Sequence, residues 1–259
     1  MAVVNYEIKD HIAHVVMNDP GTRNSMTKAM QNGLIAAFSD AEASAEVCVV
    51  LLSAAGDSFC AGGDLRLFQT LRERSGTEIY SEARRSADLF KLLAEFKKPI
   101  VAAVNGPALG GGFGVVCNAS IVIASDRAKF GCTEIKLGLF PLVILPAVRR
   151  LIGDRKTLEL SLLGDVLDAA AAEKIGVVNK VVAHDQLSDE AAKVAKRIAS
   201  FSPLAIRLGM EGFRSTAEIP PDKAIEALLA LRVVFSHSED LHEGATAFLE
   251  RRAPVWVGR

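Results

Sequence analysis

The sequence has no surplus of either charge: 30 lysines and arginines face 31 aspartates and glutamates, for a net of −1. Without a basic excess or a long charge run there is no electrostatic footprint for nucleic acid and no solvating tail. Cysteine patterns are also missing. Cys48, Cys60, Cys117 and Cys132 form no C-x-x-C pair and no Cys/His cluster with zinc spacing, so no metal site is expected and a reducing compartment is implied. No apolar run is long enough to cross a bilayer. The N-terminal segment Met1-Ala-Val-Val-Asn-Tyr-Glu7 has neither a charged n-region nor an apolar h-region. No signal peptide and no membrane partner are expected, and the expected location is cytoplasmic.

What is present is an ordinary globular composition, half hydrophobic and 24% charged over 259 residues, enough to bury a large core without disulfides. Val3–Lys9 and Ile12–Met17 read as a hairpin. Thr27 is a candidate N-cap for an amphipathic helix ending near Ala43. Val47–Leu52 is apolar without alternation and predicts a buried strand. Apolar residues at Ala87, Phe90, Leu93 and Ala94 predict a helix over Ser81–Phe96. Pro99 opens a second buried strand, Ile100–Val104, followed by a short helix near Phe113–Asn118 and a strand at Ile121–Ala124. Beyond about residue 186 the β signal disappears. Gln186–Ser200, Pro203–Arg214, Pro221–Ser236 and Glu239–Arg251 all read as helices, with Pro203 and Pro221 at or near first helical positions. The change divides the chain into a core over residues 1–200 and a helical module over 201–259.

Two glycine loops carry most of the chemical information. Ser58-Phe-Cys-Ala-Gly-Gly-Asp64-Leu-Arg66 and Asn105-Gly-Pro-Ala-Leu-Gly-Gly-Gly112-Phe-Gly114 each follow a buried strand. Such loops offer unpaired backbone N–H groups to a phosphate or to an oxyanion that develops during reaction. A dinucleotide fingerprint would need glycine where Val115 stands. A P-loop would need Gly-Lys-Ser/Thr after the run, and Gly56-Asp-Ser58-Phe-Cys60 is one residue short of a nucleophile elbow.

Taken in order, five segments resemble the enoyl-CoA hydratase/isomerase (crotonase) family. They are Pro20-x-x-Arg23-Asn24, Phe59-Cys-Ala-Gly-Gly-Asp64-Leu, Lys98-Pro-Ile-Val-Ala-Ala-Val-Asn-Gly-Pro-Ala-Leu-Gly-Gly-Gly112, Phe130-Gly-Cys-Thr-Glu134-Ile-Lys-Leu-Gly138 and Ser238-Glu-Asp-x-x-Glu243-Gly-x-x-Ala-Phe248-Leu-Glu-Arg-Arg. The resemblance covers nearly the whole chain. It implies an α/β superhelix of β-β-α turns in two crossed sheets, with a helical C-terminal trimerisation module. The expected assembly is a homotrimer or a dimer of trimers. The implied substrate is an acyl-CoA thioester, with coenzyme A part of the substrate and no separate cofactor.

Position by position, the resemblance implies that the N–H groups of Gly63 and Gly111 form an oxyanion hole, with Glu134 as the catalytic acid–base. Ala61, Asp64, Arg23 and Arg66 fall at CoA-binding positions. Arg251 matches a basic residue that reaches a neighbouring subunit's CoA, and Phe248 sits where an aromatic packs near the adenine. Family hydratases use two glutamates, but the first position here is Gly114. The expected reaction is hydration of an enoyl-CoA through a stabilised thioester enolate. Double-bond isomerisation by Glu134 alone is the alternative. A catalytically silent CoA-binding or RNA-binding member is the reading of another class. Gly138–Leu145 holds no Asp, Glu or Tyr, unlike dehalogenase, dienoyl-isomerase and decarboxylase relatives. Glu134-Ile-Lys-Leu-Gly-Leu-Phe-Pro141 also resembles cyclic dienoyl-CoA hydratases of aromatic-ring degradation. Gly114 is then expected to leave space for a bulkier acyl group or an extra water.

Overall fold

A computed structural model describes residues 2–259; Met1, part of the N-terminal segment read above, lies outside them. The chain opens with the expected hairpin, β1 (Val4–Lys9) and β2 (Ile12–Met17), paired antiparallel in a register that sets Lys9 opposite Ile12. Asp10 and His11 make the two-residue turn with φ of 51° and 62°, the sense that matches strand twist. The Thr27 side chain accepts the N–H of Met30 and caps α1 (Lys28–Ala43), which buries Met30, Leu34, Ala37, Phe38 and Ala41 at helical spacing.

β3 (Val49–Ala54) precedes the first glycine loop, and α2 (Leu65–Thr70) follows it. α3 (Gly76–Glu95) starts earlier than the apolar pattern predicts, because Ser75 and Glu78 form a reciprocal capping box. β4 (Ile100–Val104) leads into the second loop, which contains β5 (Pro107–Leu109) and α4 (Gly111–Cys117). Then come β6 (Ile121–Ser125), β7 (Lys129–Gly131) and a 3-10 turn over Glu134–Leu137. α5 (Leu145–Leu163), β8 (Leu167–Asp168), α6 (Ala169–Lys174) and β9 (Lys180–Val182) complete the mixed part of the chain. The remainder is helical: α7 (Leu187–Ala199), α8 (Pro203–Ser215), α9 (Pro221–Ser236) and α10 (Glu239–Glu250).

The strands form a six-stranded sheet in the order β1-β2-β3-β4-β6-β9, parallel except for the opening hairpin, and a small sheet β5-β7-β8. The unbroken apolar runs in β3 and β4 have a simple cause. Val50, Leu52, Ile100, Ala102 and Val104 face the main core, whereas Val49, Leu51, Val101 and Ala103 face a second cluster with Leu187, Ala191 and Ala195 of α7. Alternate side chains leave opposite faces of a strand, so both sets must be apolar when both faces are covered.

The C-terminal residues fold back on the helices. Asp240, 3% exposed, accepts from Ser202 Oγ at 2.5 Å and from the N–H groups of Val257 and Gly258 at 2.8 and 3.0 Å. A buried carboxylate is tolerated because those donors replace water. Among the described residues no helix is long and apolar enough to cross a membrane.

Candidate active site

The two glycine loops are joined through their backbones. Cys60 N–H donates to Pro107 O, and Leu109 N–H donates to Cys60 O, both at 2.9 Å. Met26 extends the junction by donating to Gly62 O at 2.8 Å and bridging Gly63. The first loop is held from behind by Asn24, which is fully buried. Its Nδ2 donates to Ala55 O and Ser58 O at 2.9 and 2.8 Å, and its Oδ1 accepts the Asp19 N–H at 2.8 Å. The role of Asn24 was not legible in the sequence, although it closes the Pro20-x-x-Arg23-Asn24 motif. Its contacts are with backbone atoms of a distant loop.

Gly63 and Gly111 lie on the two sides of this junction. Gly111 is the first residue of α4, where an N–H has no partner within the helix. Among the described residues neither glycine N–H is taken up by another protein atom in the loop hydrogen bonds. Side chains flank both positions. A Cβ on Gly63 would lie 2.6 Å from Phe68 Cζ, and one on Gly111 would lie 3.1 Å from Met26 Cγ and 4.0 Å from Phe90 Cζ.

Glu134 begins the 3-10 turn that follows β7, and its carboxylate returns to the same junction. Gly110 has φ +51°, a conformation that favours glycine. The space its missing side chain leaves is occupied by Glu134: a Cβ there would sit 3.0 Å from Oε1. Glu134 is half-buried, and its Oε2 is buried without a hydrogen-bond partner among the described residues. Burial pushes its pKa up, only partly opposed by a hydrogen bond from its own backbone N–H. The neighbouring Cys132 thiol is pushed up to about 12, by burial first and by Glu134 second, so it stays protonated and inert at neutral pH.

The remaining expected positions divide. Arg23 and Ala61 are brought to the junction, since Ala61 N–H donates to Arg23 O at 3.0 Å. Arg23 also lines a depression of about 370 Å³ with Pro20, Gly56, Asp57 and Ser58. Asp64 caps α2, its Oδ1 accepting the Arg66 N–H at 3.0 Å, and the Arg66 side chain is exposed. Arg23, Arg66 and Arg251 enter no ion pair among the described residues. Phe248 and Arg251 are not drawn into this cluster within the chain: Phe248 is 84% exposed near the end of α10, and Arg251 is the left-handed cap that ends it.

Gly114 requires a correction. The expected extra space is not there. Gly114 is buried, and a Cβ on it would lie 2.3 Å from Ile144 Cγ2 and 2.9 Å from Phe90 Cε1. Two apolar side chains fill the volume that a second acid would need, so neither a bulkier acyl group nor an extra water gains room there.

Comparison with known proteins gives the family and the fold. The family model described as enoyl-CoA hydratase/isomerase matches residues 7–259. A mevalonyl-coenzyme A hydratase of Aspergillus fumigatus is 35% identical over 249 residues, covering 95% of this chain and 91% of the relative. The crystal structure of an enoyl-CoA hydratase from Bacillus anthracis superposes with a TM-score of 0.93 at 27% identity, covering 99% of this chain and all of the other. Human enoyl-CoA hydratase domain-containing protein 3 superposes at 0.92 with 28% identity, covering 98% of this chain and all of the other. This chain belongs to the enoyl-CoA hydratase/isomerase family, and its mixed α/β architecture with a helical C-terminal region is the crotonase fold.

Proposed function

We propose that this protein carries out single-acid chemistry on an enoyl-CoA thioester. The observation that carries the reading is the Glu134 carboxyl, placed beside Gly110 at the junction of the two loops with one buried oxygen unpartnered. A thioester oxygen accepting from the N–H groups of Gly63 and Gly111 would gain charge as an enolate forms, and fixed donors stabilise that charge without reorganising. Arg23 and Arg66 suit the CoA phosphates, because a guanidinium offers planar paired donors.

The net reaction we assign is hydration. Glu134 as carboxylate takes a proton from water attacking C3, and the resulting acid protonates the enolate at C2. The hydratase relatives support this assignment. Isomerisation is the second reading, favoured by the apolar Phe90 and Ile144 at the position of a second acid. Here Glu134 lifts a proton from C2 of a 3-enoyl thioester and returns one at C4. The two are separated by following absorbance of the conjugated enoyl thioester with crotonyl-CoA, a cyclic dienoyl-CoA and a 3-enoyl-CoA. Hydration removes the conjugated double bond of crotonyl-CoA and shortens the conjugation of the dienoyl thioester; isomerisation creates conjugation from the third. Inertness toward all three would overturn the proposal.

The proposal includes assembly through the helical module. None of the α9 residues is buried, and Ile225, Leu228, Leu229, Val233 and Val234 are exposed. Leu231 instead packs half-buried against Gly212. So large an apolar stripe is costly in water, and a trimer or dimer of trimers would cover it. Sedimentation equilibrium is expected to give a multiple of three chains; a monomer mass would refute the assembly.

A further inference from the structure

Gly111 and Gly114 are three residues apart on α4 and therefore share a helical face. One aromatic ring spans both. Phe90 places Cζ 4.0 Å from the Cβ position of Gly111 and Cε1 2.9 Å from that of Gly114, where Ile144 closes the other side at 2.3 Å. Three residues of helix rise span about 4.5 Å. If the thioester oxygen sits at the Gly111 N–H, the ring and Ile144 lie within about one helical turn of it, the reach of the first few acyl carbons. Phe90 retains partial exposure, whereas Ile144 is 3% exposed and fixed. The ring is thus the surface offered to a ligand, and Ile144 is the stop behind it.

We propose that Phe90 and Ile144 form an acyl-selecting plug that limits bulk at C3 and C4 of the bound thioester. This rests on the acyl-CoA reading given above. Neither residue lies in the glycine loops or the Glu134 segment. Both fill, with carbon, the volume that a side chain at position 114 would need. The plug therefore has two consequences: it places carbon, not a second acid, beside the acyl chain, and it sets the width of the site there.

The test uses two saturated thioesters, butyryl-CoA and 3-methylbutyryl-CoA, which differ by one methyl at C3 and cannot react at a double bond. Their affinities for the full chain are measured by titration calorimetry. Ile144→Ala is expected to move the affinity ratio toward the branched thioester by roughly 10-fold or more, the scale at which a pocket discriminates single carbons. Ile144→Val and Phe90→Leu remove less volume and keep the measurement decisive if the alanine variant does not fold. Each is expected to shift the ratio in the same direction by a smaller factor. An unchanged ratio in folded variants overturns the plug while leaving the acyl-CoA reading intact. Failure of the unaltered protein to bind either thioester overturns both.

Discussion

Glu134→Gln is expected to lower kcat by about 100- to 10,000-fold, the range that general acid–base catalysis typically contributes. Glutamine keeps the size and much of the hydrogen bonding of the side chain but cannot carry a proton between water and carbon. Affinity for a product analogue is expected to stay nearly constant, because the proposed phosphate contacts at Arg23 and Arg66 are untouched. The same variant carries a stability signature. Burial raises the Glu134 pKa above its ordinary 4.5, so the folded chain binds this proton more tightly than the unfolded chain. The resulting stabilisation is fully present below the unfolded pKa and is lost as pH rises through the folded one. At neutral pH the ionised carboxylate is therefore a burden that glutamine removes. The variant is expected to melt at a higher temperature than the parent at pH 7, with the difference disappearing below about pH 4.5. Equal melting temperatures at pH 7 would contradict the burial argument. An active variant would remove Glu134 from the mechanism.

Gly112→Ala is expected to cost about 100-fold or more in kcat/KM and to lower the melting temperature. A Cβ at Gly112 would lie 2.6 Å from both Cys60 Cβ and Cys60 O. The carbonyl cannot retreat freely, since it accepts the Leu109 N–H that ties the two loops. The loops must separate, and separation moves the Gly63 N–H relative to the Gly111 N–H. A displacement on the order of 1 Å in a preorganised site is enough for a 100-fold loss. The checks are steady-state kinetics and a thermal melt. Full activity in a folded variant would show that the spacing of the loops does not matter to catalysis.

Much of this arrangement was legible in the sequence, for identifiable reasons. The hairpin was readable from alternation in β1 and its neighbour, and β3 and β4 because strands buried on both faces become continuous apolar runs. α1 announced itself through Thr27, and α9 through Pro221 at its first position. The Gly63, Gly111 and Glu134 positions came from motif resemblance, and the structure puts all three at one junction. α5 shows no clear helical period because Gly153, at φ 75° and ψ 170°, interrupts it. The strands β5, β7, β8 and β9 are two or three residues long and too short to show a period. The filling of the Gly114 site was invisible for another reason. Phe90 and Ile144 come from α3 and from the approach to α5, and no local pattern records a meeting that tertiary packing alone creates.

The central claim is that one carboxyl, Glu134, moves the proton at the acyl chain. Turnover of an enoyl-CoA in deuterium oxide, read by mass spectrometry and NMR of the acyl group, tests it most directly. The account predicts deuterium at the carbon that Glu134 protonates, C2 for hydration, and its loss in Glu134→Gln in step with kcat. Deuterium entering at an undiminished rate in the glutamine variant would contradict it.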